Sequence, residues 1–300
     1  MSNSYFQIDP RVPFAWLNPT TLRFGLDTQK AVVSEISAAA QPVLRALCDG
    51  VTRVRLTRVA NRSGMSTQQL NTVLDALQPV LLQLPWPCTP LRRHGPVQAS
   101  RIRATQVLQL VGDCGVDRDS WLHRAVAEAL SWHGFTLLHD DTVAVHSDVV
   151  LLSRYLPSPA LVDRYLSQGT NVTPVVFSDG GVRIGPRLNV AKRCCLTCVS
   201  EMEQRRDPDW ALLAVQLMGQ PSPVETPESV RAIGQLLPML NTGDTPRQLF
   251  LPVTNRGVTE LPDIRTVARC VSCHSAETRA ESRAAAEQSA AEPTSSRAAA

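Results

Sequence analysis

The sequence predicts an α/β protein with a mainly parallel sheet, preceded by a small winged-helix-like domain. Three observations lead there. After residue 105, short continuous apolar runs alternate with amphipathic helical stretches, which is the grammar of βαβ units. Ahead of them, a strand-like segment is followed by three helix-like segments with a Gly-containing turn between the last two. In the second half, two Cys-x-x-Cys pairs lie far apart and add a structural zinc to the expectation.

In the N-terminal part, residues 14–26 alternate apolar and polar positions around Asn18-Pro19 and read as a short hairpin or two edge strands. Ser34 to Leu47 places Ile36, Ala40, Val43, Leu44 and Leu47 on one helical face. A second short helix is expected at Leu56–Asn61, broken at Ser63-Gly64. Ser66 then caps a third, with Leu70, Val73, Leu74 and Leu77 at three- and four-residue spacing. This module is expected to occupy residues 1–85. Residues 86–104 are rich in Pro and Arg without a period and read as a linker.

The main domain is expected over 105–275. Apolar runs at 107–111, 135–139, 148–152 and 172–178 read as buried strands, and 119–133 and Pro159–Gln168 as helices between them. Further helices are expected near 201–218 and 227–240. The stretches 247–253 and 257–264 then pair as a hairpin across Asn255-Arg256-Gly257. Residues 276–300 shift to Ala, Glu, Ser and Arg with no apolar stripe, the composition of a disordered tail.

Composition narrows the function. The chain has 300 residues, 43% hydrophobic and 19% charged, with a net charge of +3. That is enough apolar material for a core and too mild a charge to argue for nucleic acid on that ground alone. There is no secretory-type N-terminus and no apolar run of about 18 residues. A cytoplasmic location without a membrane partner is therefore expected, and the eight cysteines become metal candidates rather than disulfides. Cys195-Leu196-Thr197-Cys198 and Cys270-Val271-Ser272-Cys273 suit tetrahedral Zn²⁺ held by four thiolates. The long gap between the pairs means that the ion would clip together distant parts of one domain. Cys194 could substitute as a ligand. Cys270 to His274 also matches the c-type haem string, but that reading leaves the first pair unexplained.

The order of these elements resembles the ThiF/MoeB family, the ubiquitin-activating-enzyme-like adenylyltransferases. Residues 184–217 look more specifically like the ThiF-like proteins of azole-forming ribosomal peptide (bacteriocin) pathways. The features that carry the likeness are Gly185-Pro186, the Cys195/Cys198 pair, the Arg206-Asp207-Pro208 turn before Trp210, and the helix ending in Gln216-Leu217. The resemblance implies a ThiF-like, Rossmann-like sheet and an N-terminal winged-helix peptide clamp. It also implies a non-catalytic role: binding the leader of a precursor peptide and presenting it to a YcaO-type cyclodehydratase. Relatives in that family often pair as homodimers.

A working site of that family needs a glycine-rich turn meeting phosphate at a helix N-terminus. The corresponding turn here is Gly112-Asp113-Cys114-Gly115, with Asp117 following and Asp140 or Asp141 available for a ribose. Cys114 replaces the middle glycine, Asp113 and Asp117 add negative charge, and 140–153 lack Lys and Arg. The site is expected to be degenerate, and ATP is not expected to be used. Two alternatives remain: an active ATP-dependent adenylyltransferase, and a winged-helix DNA-binding regulator. The third helix has Gln68, Gln69 and Asn71 but no Lys or Arg, so nucleic acid is the weaker partner. An extended leader is instead expected to add to an edge strand near Thr21–Leu26. His123 and His133 are expected to be ordinary helix histidines, Glu203, Asp207 and Asp209 an exposed helix start, and Ser178 to Gly181 a turn.

Overall fold

The computed structural model describes residues 4–85, 107–138, 148–189, 194–240, 247–253, 258–261 and 270. The predicted linker and tail, Asp140, Asp141 and Cys273 lie outside the described residues.

Period-two burial organises the first part. Strand β1 (Ser4–Ile8) leads into β2 (Phe14–Asn18), β3 (Thr21–Phe24) and β4 (Ala31–Val33). The last three form an antiparallel sheet with β3 in the middle. Leu22 and Phe24 are buried among the helices that follow, while Arg23 points to the opposite face. Those helices are α1 (Gln41–Asp49), α2 (Arg53–Arg62) and α3 (Thr67–Leu77). Leu44, Leu47, Leu56, Leu70, Leu74 and Leu77 form their common core. Ser66 and Gln69 close a reciprocal capping box at the start of α3. A second antiparallel sheet has β1 between β5 (Val51–Thr52) and β6 (Leu81–Pro85).

Two expectations are corrected here. Residues 34–40 do not continue the first helix, which begins only at Gln41, with Pro42 in its first turn. Thr21–Phe24 is not an edge strand, because β2 and β4 pair with it on both sides.

The second part contains a seven-stranded sheet. Its strands are β7 (Val107–Gly112), β8 (Thr136–Leu138), β9 (Asp148–Arg154), β10 (Val172–Phe177), β11 (Gly181–Ile184), β12 (Gln248–Pro252) and β13 (Thr259–Leu261), in the order β13-β12-β11-β10-β9-β7-β8. The four strands from β8 to β10 run parallel. The remaining three continue the sheet antiparallel, and β12–β13 is the hairpin expected from the sequence.

Helices cover both faces. Leu108, Leu110, Val150 and Leu152 pack under α4 (Trp121–Trp132) and α8 (Pro227–Leu240). Val149, Leu151 and Val172 pack against α5 (Pro159–Ser167) and α6 (Leu196–Arg206). The helix expected over 201–218 is two helices, α6 and α7 (Trp210–Leu217), separated at Asp207-Pro208-Asp209. Among the described residues no helix is long and apolar enough to cross a membrane.

Candidate functional site

The first cysteine pair opens α6. Cys195 is the N-cap residue and Cys198 lies in the first helical turn, so the two-residue spacer turns both sulfurs to one side. A backbone bridge between Asn189 and Cys194 anchors the entering chain. Cys270 comes in from the far end of the domain. Its Sγ lies 3.7 Å from that of Cys195, and the Cys195 and Cys198 sulfurs are 3.8 Å apart. All three are buried, and their sulfur atoms lie within 4.8 Å of one another.

These separations test the fit to a metal. Zn–S bonds of about 2.3 Å in tetrahedral geometry put neighbouring sulfurs about 3.8 Å apart, close to the spacing found. A disulfide would require about 2.05 Å. The cluster could hold a metal ion and is compatible with zinc. It also belongs to the apolar cluster of α5, α6 and β9, so an ion there would tie the chain near residue 270 to the centre of the sheet.

The strand order reverses between β7 and β9, the switch point where ligands commonly bind in such sheets. Gly112 ends β7, and Gly115 follows in the turn. A Cβ on Gly112 would lie 2.0 Å from the Val116 carbonyl oxygen, and one on Gly115 would lie 2.3 Å from that of Gly219. The chain's own backbone therefore fills the space that these glycines open.

Arg154 donates to the Gly115 carbonyl and makes a two-pronged ion pair with Glu225. The Asp113 carboxylate accepts from the Ser158 amide at the N-cap of α5. Helix α4 begins only at Trp121, after its cap Ser120, so the glycine turn does not run into a helix N-terminus. Cys114 has a positive φ of 43°. Burial, and then the charge of Asp113, push its thiol up to about 12, leaving it protonated. These contacts do not fit a turn that cradles phosphate.

A second polar centre joins the two parts of the chain, and no local sequence pattern marks it. Asp27, just beyond β3, accepts from Arg183 of β11, from the Ser178 hydroxyl and from the Gly180 amide. Asp179 accepts from the backbone amides of Leu26 and Asp27. Burial, and then the nearby Asp27, raise its pKa. Glu203, expected to be exposed, is 4% exposed and lies 3.7 Å from Arg183. Asp207 pairs with Arg23, whose hydrogen bonds hold its carboxyl below the usual range. These groups line a cleft of about 780 Å³. Asp27 and Asp179 are 152 positions apart at their contact, a separation beyond any local pattern.

Among the described residues, His123 and His133 join no group of metal ligands. His123 is buried with its ring 3.4 Å from the Leu110 carbonyl, and His133 packs on Gly234 of α8. Neither is exposed. Among the described residues only the cysteine trio gathers three potential ligands.

No protein-family model and no curated protein matches the chain. Among solved structures, the chain is similar to the heterocyclase TruD at 13% identity and a TM-score of 0.39, over 86% of this chain and 41% of that one. A heterocyclase in complex with substrate and cofactor gives 12% and 0.40, over 91% of this chain and 39% of that one. A chain of the E. coli microcin synthetase McbBCD complex gives 14% and 0.37, over 88% of this chain and 100% of that one. The chain thus spans about two fifths of the two heterocyclase chains. At these scores the likeness assigns no residue a role.

Proposed function

We propose that the chain is a leader-binding scaffold of an azole-forming peptide pathway, working beside a separate YcaO-type cyclodehydratase that uses the ATP. The observation that carries this reading is the self-filled switch-point turn. Gly219 and Arg154 occupy its inner side, and the Asp113 carboxylate takes the nearby helix amide. A sheet of this kind without a phosphate grip is better suited to holding a partner than to activating a carboxylate. The sequence resemblance over 184–217 supports the pathway.

In this reading residues 1–85 form the winged-helix-like peptide clamp. The order α1-β5-α2-α3-β6 supports it, with β1 as the middle strand of the small sheet. Because β3 is paired on both sides, the leader adds as a strand to the β5-β1-β6 sheet, along β6 and beside α3. Cys195, Cys198 and Cys270 hold one zinc ion, with Cys273 as the fourth ligand. When bound, the ion links the distant chain end to the sheet and takes no part in chemistry. Gly112 and Gly115 serve the fold of the turn.

Reconstitution tests the proposal. A partner cyclodehydratase should form azolines on its precursor at least about tenfold faster with this chain present, and removal of the leader should abolish the gain. No stimulation by the chain would reject the scaffold role. ATP–pyrophosphate exchange by the chain alone would favour the adenylyltransferase reading instead.

One observation favours the DNA-binding reading as a second possibility. Arg55, Arg58 and Arg62 form an exposed basic stripe on α2, where a helix-turn-helix touches phosphate. Salt-sensitive retardation of duplex DNA by the chain would support it.

A further inference from the structure

The cleft between the two parts of the chain measures about 780 Å³, within the roughly 300–1,000 Å³ usual for ligand sites. Leader binding makes no use of it. Its walls come from the loop of Leu26 to Lys30, the turn at Asp179-Gly180, the break between α6 and α7, and β12 with Val253. Ligand pockets favour such junctions between separately folded parts.

The hydrogen-bonding capacity of these walls is unequally spent. Asp27, Asp179, Glu203 and Asp207 each meet at least two donors of the chain itself. The donors are less fully used. Lys30 is exposed and, among the described residues, has no ion-pair partner. Arg206, also exposed, meets Glu203 through Nη1 alone, at 3.5 Å. Trp210 is 6% exposed, and its indole N–H has no acceptor among the described residues, which is uncommon for a buried donor. Asp209 is the least engaged of the lining acids, half-exposed and 3.9 Å from Arg23. Phe250, Pro252 and the exposed Val253 add an apolar wall.

Spare donors beside an apolar wall suit an acceptor-rich guest with an apolar body. We propose that the cleft binds a carboxylate-bearing ligand, either an acidic peptide segment or a free organic acid, with Lys30 and Arg206 as its charge partners. Charge-assisted bonds from these two groups are the strong kind. The ion pairs already closed within the wall cancel at short range, whereas Asp209 opposes the guest. This inference does not depend on the proposed function: among the described residues, none of β1, β5 or β6 lines the cleft.

Equilibrium dialysis of the full chain tests it with two probes applied separately. One is a synthetic pool of random hexapeptides blocked at both ends, and the other is radiolabelled glutarate. At least one should be retained, the peptides with an excess of Asp and Glu over the input by amino-acid analysis. Lys30→Gln and Arg206→Gln should each lower this retention about threefold, and Asp209→Asn should raise it by a similar factor. All three variants should keep the wild-type circular dichroism spectrum, so the opposite signs separate ligand contact from damage to the fold. Retention of acidic peptides alone assigns the site to a peptide segment, and retention of glutarate assigns it to free acids. Retention of neither probe by the wild type overturns the proposal. So does retention that K30Q and R206Q leave intact, or that D209N lowers.

Discussion

Arg23 and Asp207 meet across the junction of the two parts of the chain, with Nη1 donating to Oδ1 at 3.0 Å. Arg23 sits on the middle strand of a sheet whose other face closes the N-terminal core, and it is 6% exposed. It also donates to the carbonyls of Gly25 and Leu26. Removing its partner leaves a buried guanidinium short of acceptors. Asp207→Asn is expected to cost about 1–3 kcal/mol of stability at neutral pH, read as a lower urea midpoint with an unchanged slope.

Acid should expose two opposite contributions at this junction. The Asp207 carboxyl is lowered in the fold by its hydrogen bonds to Arg23. Its stabilisation is therefore complete above the ordinary carboxylate value and is lost as the pH falls through the folded one. Asp179 is raised, first by burial and then by Asp27. Its folded carboxyl takes up a proton more readily than the unfolded one, so its penalty is relieved on acidification. Urea midpoints between pH 7 and pH 3 should fall less steeply for D207N than for the wild type, and more steeply for Asp179→Asn.

The cysteine cluster predicts stoichiometry and linkage. The purified chain should carry about one zinc ion, measured by elemental analysis. Cys195→Ser, Cys270→Ser and Cys273→Ser should each lose both the ion and cooperative thermal unfolding. Chelation of the wild type should reproduce the loss. A cooperatively folded protein free of metal contradicts the centre.

At the switch point, Glu225 is 4% exposed and Arg154 is its charge partner. Arg154→Ala leaves that carboxylate buried without its partner, and about 3–5 kcal/mol is expected to be lost. Gly115→Ala should also destabilise, because its φ is +84° and its Cβ would press on the Gly219 carbonyl. If the turn instead served ATP, these changes would act mainly on nucleotide binding, with little effect on the thermal midpoint.

The regular parts of this fold were legible because period and burial agree. The apolar run at β9 alternates between two covered faces, with Val149 and Leu151 on one and Val150 and Leu152 on the other. That is how a strand covered on both sides comes to read as continuously apolar. The cysteine trio was legible in part because the two-residue spacer brings the Cys195 and Cys198 sulfurs to one side of a helix start. Strand β1 was missed because its five residues, Ser4–Ile8, are too short a run to set a clear period. The Asp27–Asp179–Arg183 centre was missed for another reason. Ser178 to Gly181 does form a turn, with Ser178 and Gly181 paired through their backbones. Only the approach of residue 27 gives its aspartate a second task. Glu203 reads as a solvated acid on an Arg-flanked helix, and its burial between Arg206 of that helix and Arg183 of β11 depends on a strand far away in the sequence.

Binding of a fluorescently labelled precursor leader to the full chain, followed by polarisation, decides whether the chain is a leader-binding scaffold. Saturable one-to-one binding with Kd in the micromolar range or tighter is expected, indifferent to added ATP. No saturable binding below tens of micromolar, or binding that appears only with ATP, would contradict that role.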